Sequence, residues 1–241
     1  MNEVRRIDSG SSDFSFYDLD DYNQVSQINP ESKLKRINKR GVVIYYMDDF
    51  LLYPHQFINF LKKFPAFSND ARGGMHRPGM SQKFHGELFR RFEKVMCDIS
   101  PVNEVRWCAN IFNSDMYCSK DSWCPHTDIG TSFVTNYWMC EQEGRSGTMF
   151  YTWNGKNTMD NNEVKLLKNK IHLYEKYRPG KIWRNVNPKD IEGLEAVYFS
   201  PVKFNRIIFY DANQIHSPYI TKNTYLKNNY RYSLVGFGFK K

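Results

Sequence analysis

His126 and Asp128, in Pro-His-Thr-Asp, and His216, in Gln-Ile-His-Ser, are the residues of this chain best suited to metal chemistry. Two imidazoles and one carboxylate occupy one face of a non-haem Fe(II) and leave the opposite face open for a co-substrate and O₂. If Pro125 to Ile129 runs off the end of a strand, side chains at i and i+2 project to one side, so His126 and Asp128 reach one metal together. His216 must then arrive from elsewhere in the sheet. Arg231 and Ser233 repeat the same spacing in Asn-Tyr-Arg-Tyr-Ser-Leu-Val-Gly-Phe-Gly-Phe, whose alternation predicts a strand. A guanidinium fork beside a hydroxyl suits one end of a carboxylate, because the first offers paired planar donors and the second a single directional one.

The order His-x-Asp, a distant His, then Arg-x-Ser resembles the Fe(II)/2-oxoglutarate-dependent oxygenase superfamily. The likeness looks nearest to phage and bacterial members, through Gly147-Thr148-Met149-Phe150-Tyr151 and through Val202 to Asp211 ahead of His216. It spans roughly Val105 to the C-terminus and, more weakly, Val42 to Ser100. The resemblance implies a double-stranded β-helix, or jelly roll. It also implies a catalytic Fe(II) held by His126, Asp128 and His216, with Arg231 and Ser233 on the distal carboxylate of 2-oxoglutarate. Oxidation by O₂, supported by ascorbate, then hydroxylates a prime substrate. Asn110, Tyr117, Asn136 and Tyr137 are polar positions on or beside strands expected near the metal. Asn110 and Tyr117 are taken as co-substrate contacts at its keto-acid end, with packing and ladder hydrogen bonds as the alternative.

Animal-type prolyl hydroxylases share the His-x-Asp and distal His but usually carry Lys where Arg231 stands, which disfavours a collagen-type substrate. A peptide or protein and a small molecule both remain open as substrates. Two other readings stand beside this one. One is an oxygenase or demethylase acting on nucleic acid; the other is a structural or phage-particle binding module in which the jelly roll needs no catalysis.

Length and composition bound these readings. At 241 residues the chain can bury one sizeable core. Aromatics reach 16%, which favours a sheet-rich protein because rings pack well on pleated surfaces. Net charge is +8 with a sequence pI near 9.1, favouring polyanionic partners without naming one. No stretch approaches a membrane span, and Met1 to Arg6 is not followed by an apolar signal core, so a cytoplasmic protein is expected, in the host cytoplasm if phage-encoded. Five cysteines without a framework spacing point to a reducing compartment. Cys118, Cys124 and His126 lack the Cys-x-x-Cys of a zinc site. Cys124, two residues before His126, is an oxidation liability.

Positioning these side chains needs a mainly β fold with flanking helices. Strands are expected at Val42–Met47, Val105–Phe112, Thr131–Cys140, Thr148–Trp153, Leu194–Phe199, Asn205–Asp211 and Tyr230–Phe239; short strands between turns predict a sandwich or a jelly roll. Helical spacing over Pro54–Phe64 and His85–Asp98 predicts two supporting helices, with His55 and His85 solvated or capping near their starts. A turn-rich loop, Asn69 to Gly79, carries His76 and Arg77, either at the site mouth or as a basic connector. Residues 1–40 are expected to form a polar arm, acidic from Asp13 to Asp21 and basic from Lys33 to Arg40, through which subunits could assemble; residues 41–241 form one domain. A basic insertion near 161–190 mixes lysines and arginines with Tyr174, Tyr177 and Trp183. Nucleic-acid contact there is possible, but a solvated face is favoured.

Overall fold

Alternating side chains bury both faces of the central strands, and the fold follows from that layering. A computed structural model of the chain describes residues 25–61, 94–99, 104–112, 125–128, 130–139, 146–160, 162–167, 169, 189, 191–220 and 231–239. Its strands are β1 (Lys35–Lys39), β2 (Val42–Met47), β3 (Glu104–Phe112), β4 (Phe133–Trp138), β5 (Ser146–Trp153), β6 (Leu194–Pro201), β7 (Arg206–Asp211), β8 (His216–Ile220) and β9 (Arg231–Phe239). Six form a major sheet in the order β1-β2-β7-β4-β9-β3, and three form a minor sheet in the order β6-β5-β8. Among the described residues every strand pairing is antiparallel.

Three apolar clusters define the layers. Between the sheets, Ile44, Val134, Trp138, Ile208 and Tyr210 of the major sheet meet Phe150 of the minor sheet and Val202 just after β6. Behind the major sheet, Phe133, Tyr137, Phe209 and Leu234 pack against Phe57 and Ile58 of helix α1 (Pro54–Leu61) and against Met96. Behind the minor sheet, Tyr151, Trp153 and Ile215 pack against Val164 and Leu167 of the helical stretch 162–167. The first part of the basic insertion therefore buttresses a sheet. Helix α1 opens on Pro54, whose missing N–H costs nothing at a helix start, and His55 stacks on Phe204 at 4.8 Å between ring centroids. His55 is exposed near the helix start, as expected, and makes this ring contact at the surface. No helix among the described residues is long and apolar enough to cross a membrane.

The expected polar arm contains an element that its composition concealed. Residues 35–39 form β1, joined to β2 by Arg40-Gly41, both at positive φ (48° and 83°), as a two-residue hairpin turn that matches strand twist requires. Its basic side chains are mostly exposed, and charge of this kind blunts a sheet edge against further pairing. Residues 1–24 lie outside those described, as do the Asn69–Gly79 loop, His85 and residues 170–188. Glycine is required at Gly147, where an added Cβ would meet the Ser200 carbonyl oxygen at 2.1 Å as β6 passes.

Two polar clasps close the domain. Asn205, in the left-handed region at φ 58°, takes the Leu51 N–H on its Oδ1 at 2.9 Å, donates its Nδ2 to the Leu51 carbonyl at 2.9 Å, and accepts the Tyr137 hydroxyl at 2.8 Å. Burial pushes the Tyr137 phenol above its ordinary value. Nearby, Asp48 accepts from Arg206 Nε at 2.6 Å, with Lys203 and Lys35 at 3.6 and 3.8 Å. Burial alone would raise the Asp48 carboxyl, but the Arg206 hydrogen bond and the surrounding cations outweigh it and hold it below the usual 3.8.

Loss of the buried Asn205 network leaves three groups short of partners, so Asn205→Ala is expected to cost about 2–4 kcal/mol in urea unfolding. Asp48→Asn is expected to cost about 1–2 kcal/mol at neutral pH. Because the folded carboxyl sits below its unfolded value, this contribution is present above that value and is lost as pH falls through the folded one. The gap between wild type and Asp48→Asn should therefore close in unfolding curves taken at successively lower pH below 3.8.

Candidate metal centre

The centre is assembled by backbone pairing between two segments distant in sequence. His126 and His216 form an isolated antiparallel bridge beside β8, each N–H donating to the other's carbonyl at 2.9 Å. Directly opposed residues in such a pair project to one face, and the two imidazole centroids lie 4.5 Å apart. On its other side β8 pairs with β5, Phe150 opposite His216, which fixes the same face from within the minor sheet. The chain past His126 is held by Asp128 N–H on the Ala212 carbonyl at 2.9 Å and turned by Thr131, whose N–H and Oγ1 both donate to the Asp128 carbonyl.

His126, Asp128 and His216 consequently present one ligand atom each within 4.8 Å of one another. Asp128 Oδ2 lies 3.3 Å from His216 Nε2, and Asp128 Oδ1 lies 3.9 Å from His126 Nε2. A first-row metal about 2.1 Å from each donor would set neighbouring donors about 3 Å apart, so modest closure brings all three onto one ion. Side-chain exposure runs from 6% at His216 through 19% at Asp128 to 40% at His126, giving the cluster a buried floor and an open side.

The chemistry of the donor set fits a metal. His216 Nδ1 lies 2.9 Å from the Gln214 carbonyl, and a carbonyl only accepts, so Nδ1 carries the proton and Nε2 is turned toward Asp128. Ligating histidines are commonly oriented in this way through their second nitrogen. The His216 ring is walled by Tyr210, edge-on at 4.9 Å, and by Phe150 at 6.3 Å. Asn136 Nδ2 in turn donates to Tyr210 Oη at 3.0 Å.

The remaining expected site residues fall into three groups. Ser233 is buried on β9 and pairs with Trp138 and with position 110 of β3. Strand alternation puts positions 231, 233, 235 and 237 on one face of β9, the face that Val235 and Phe237 turn to the core between the sheets. Position 231 pairs with position 112 and position 233 with position 110 in the ladder between β9 and β3. Tyr137 does not belong with them: it faces the outer core and its hydroxyl is committed to Asn205. Tyr117, Cys118, Cys124, His76 and Arg77 lie outside the described residues. The turn after β7, which holds Asp128 through Ala212 and His216 through Gln214, was not assigned a role from sequence, because its contribution comes from main-chain carbonyls. A polar Gln two residues before a ligand His was the available signal.

Comparison with known proteins places this architecture. The crystal structure of the non-heme alpha ketoglutarate dependent epimerase SnoN from nogalamycin biosynthesis matches with a TM-score of 0.51 at 10% identity, over 92% of this chain and 81% of that one. Looser matches include HygX from Streptomyces hygroscopicus with nickel and 2-oxoglutarate bound (TM-score 0.47, 8% identity, 81% and 82% covered) and a Pseudomonas putida prolyl-4-hydroxylase (0.42, 8%, 82% and 88%). The fold is the double-stranded β-helix that the resemblance implied, with His216 at the start of a minor-sheet strand and His126 and Asp128 on the connection beside it. The chain belongs to the DUF6445 family, described as a family of unknown function, over residues 28–232. No curated protein matches the sequence.

Metal binding to the folded state alone must stabilise it. Mn(II) at about 100 times its dissociation constant is expected to add about 2.7 kcal/mol to the unfolding free energy. In thermal melts with and without Mn(II), Asp128→Ala and His216→Ala should abolish the increment. An equal shift in wild type and both variants would locate the metal elsewhere.

Proposed function

We propose that this chain is an Fe(II)- and 2-oxoglutarate-dependent dioxygenase that hydroxylates a peptide, protein or small-molecule substrate. The observation that carries this reading is the His126, Asp128 and His216 cluster, one side buried and one open, within a double-stranded β-helix. Bound Fe(II) would supply the redox chemistry that couples decarboxylation of 2-oxoglutarate to oxidation of the substrate by O₂. The protein's own residues do the rest. His216 would offer Nε2 from the buried floor, its Nδ1 being turned to the Gln214 carbonyl. Asp128 contributes negative charge and bridges the space between the two imidazoles. His126 closes the set on the open side, where co-substrate and substrate have access.

The co-substrate's far carboxylate is assigned to Arg231 and Ser233. Support comes from the i, i+2 spacing of the two positions on β9, from the burial of Ser233, and from the chemistry of the pair, a planar cationic fork beside a hydroxyl. Asn110, opposite Ser233 in the ladder, adds an amide at the same register. The apolar surroundings of Ser233, with Trp138 alongside and Val235 next on the same face, strengthen any ion pair formed there by lowering the local dielectric.

The test is succinate formation from 2-oxoglutarate with Fe(II) and ascorbate, first alone and then with peptides, amino acids and single-stranded nucleic acid as candidate substrates. Arg231→Ala is expected to raise the KM for 2-oxoglutarate by about 10- to 1000-fold, as loss of a charge-assisted contact costs about 1.5–4 kcal/mol, while Mn(II) affinity stays near wild type. Absence of both 2-oxoglutarate binding and succinate formation in the iron-loaded wild type would sink the reading.

A further inference from the structure

We propose that Gln214 is a positioning residue of the metal centre, its buried carboxamide holding the turn whose carbonyls orient Asp128 and His216. This inference rests on the metal-centre reading above and deepens it.

Gln214 is buried, and a buried carboxamide is costly unless its hydrogen-bonding groups find partners. Its Nε2 donates to the Tyr151 carbonyl at 3.1 Å and lies 3.4 Å from the Ile215 carbonyl. Tyr151 directly follows Phe150, the residue paired with His216. The side chain therefore ties the segment leading into His216 to the neighbouring strand of the minor sheet. The main chain around it is constrained in the same sense: Gln214 N–H donates to the Asp211 carbonyl at 3.0 Å, and Asn213 N–H to Asp211 Oδ1 at 2.8 Å.

Two carbonyls of this turn reach the ligands. Ala212 accepts the Asp128 N–H at 2.9 Å, and Gln214 accepts the His216 Nδ1 proton at 2.9 Å. Rotation of the Gln214 peptide would remove that acceptor and release the imidazole to protonate on either nitrogen. An apolar side chain of similar length can fill the space but cannot donate to Tyr151. A glutamate would set a carboxylate against that carbonyl. Gln214 thus acts through His216 and Asp128 without touching the metal.

The experiment compares wild type with Gln214→Met and Gln214→Glu. Long-range ¹H–¹⁵N NMR of the metal-free protein, at about pH 8.5 where an ordinary histidine is neutral, reads the His216 tautomer; Mn(II) titration reads affinity; thermal melts report folding. Wild type should show the Nδ1–H form. Gln214→Met should show a mixture and bind Mn(II) about 10- to 100-fold more weakly, the usual penalty for losing an orienting partner, and Gln214→Glu should lose at least as much. A purely structural residue would lower the melting temperature and leave the tautomer alone. Gln214→Met with the wild-type tautomer and Mn(II) affinity within about twofold overturns the proposal, as does an Nε2–H form in wild type, which is read even if neither variant folds. Wild type that binds no Mn(II) overturns the metal centre and this inference with it, whereas a changed affinity at unchanged tautomer overturns this inference alone.

Discussion

The reciprocal backbone pair between His126 and His216 is the constraint on which the rest of the centre depends. Two ladder hydrogen bonds contribute only about 1 kcal/mol each to stability, but here they determine direction. They oppose the two residues, so both imidazoles leave the backbone on one side, and they bring Asp128 to the turn that follows β7. Every other feature of the centre presupposes that pairing. The angle of the His216 ring, the approach of Asp128 and the position of His126 beside the opening follow from it.

The two sheets then act as unlike supports. The major sheet is sandwiched between two apolar layers, and its central strands β4 and β7 are buried along almost their whole length. Such close packing resists displacement. The minor sheet is narrower, with a helical segment covering its outer face, and its strand β8 carries His216 at its start. Side chains borne on packed strands hold geometry better than those on loops. His216 at the start of β8 has that advantage on both sides, whereas Asp128 depends on backbone contacts to a turn.

Much of this was legible in the sequence because chemistry and periodicity agreed. His126 and Asp128 at i, i+2 were readable as a pair, and the structure brings them together with His216. The alternation in β9 was readable too, since Val235 and Phe237 mark its inward side. Features carried by the main chain or by remote pairing were hidden. β1 reads as a charged tail, because an edge strand buries too little to leave an apolar pattern. Tyr137 reads as a polar group near the metal; only the strand's facing shows that its hydroxyl meets Asn205 on the opposite side. Asn205 itself belongs to no motif, although its side chain joins three segments of the chain. No local pattern encodes which carbonyl will meet an imidazole.

The placement of β9 between β4 and β3 bears on how the protein is made. Among the described strands it is the last to leave the ribosome, yet it occupies the interior of the major sheet, and both its neighbours must wait for it. Local hairpins such as β1 with β2 can form during synthesis, but among the described strands β3 pairs only with β9. Non-local pairing of this kind slows folding, and strand edges exposed in the interval are where chains associate wrongly. Vectorial synthesis thus leaves the β3 edge that faces β9 open until β9 has been made.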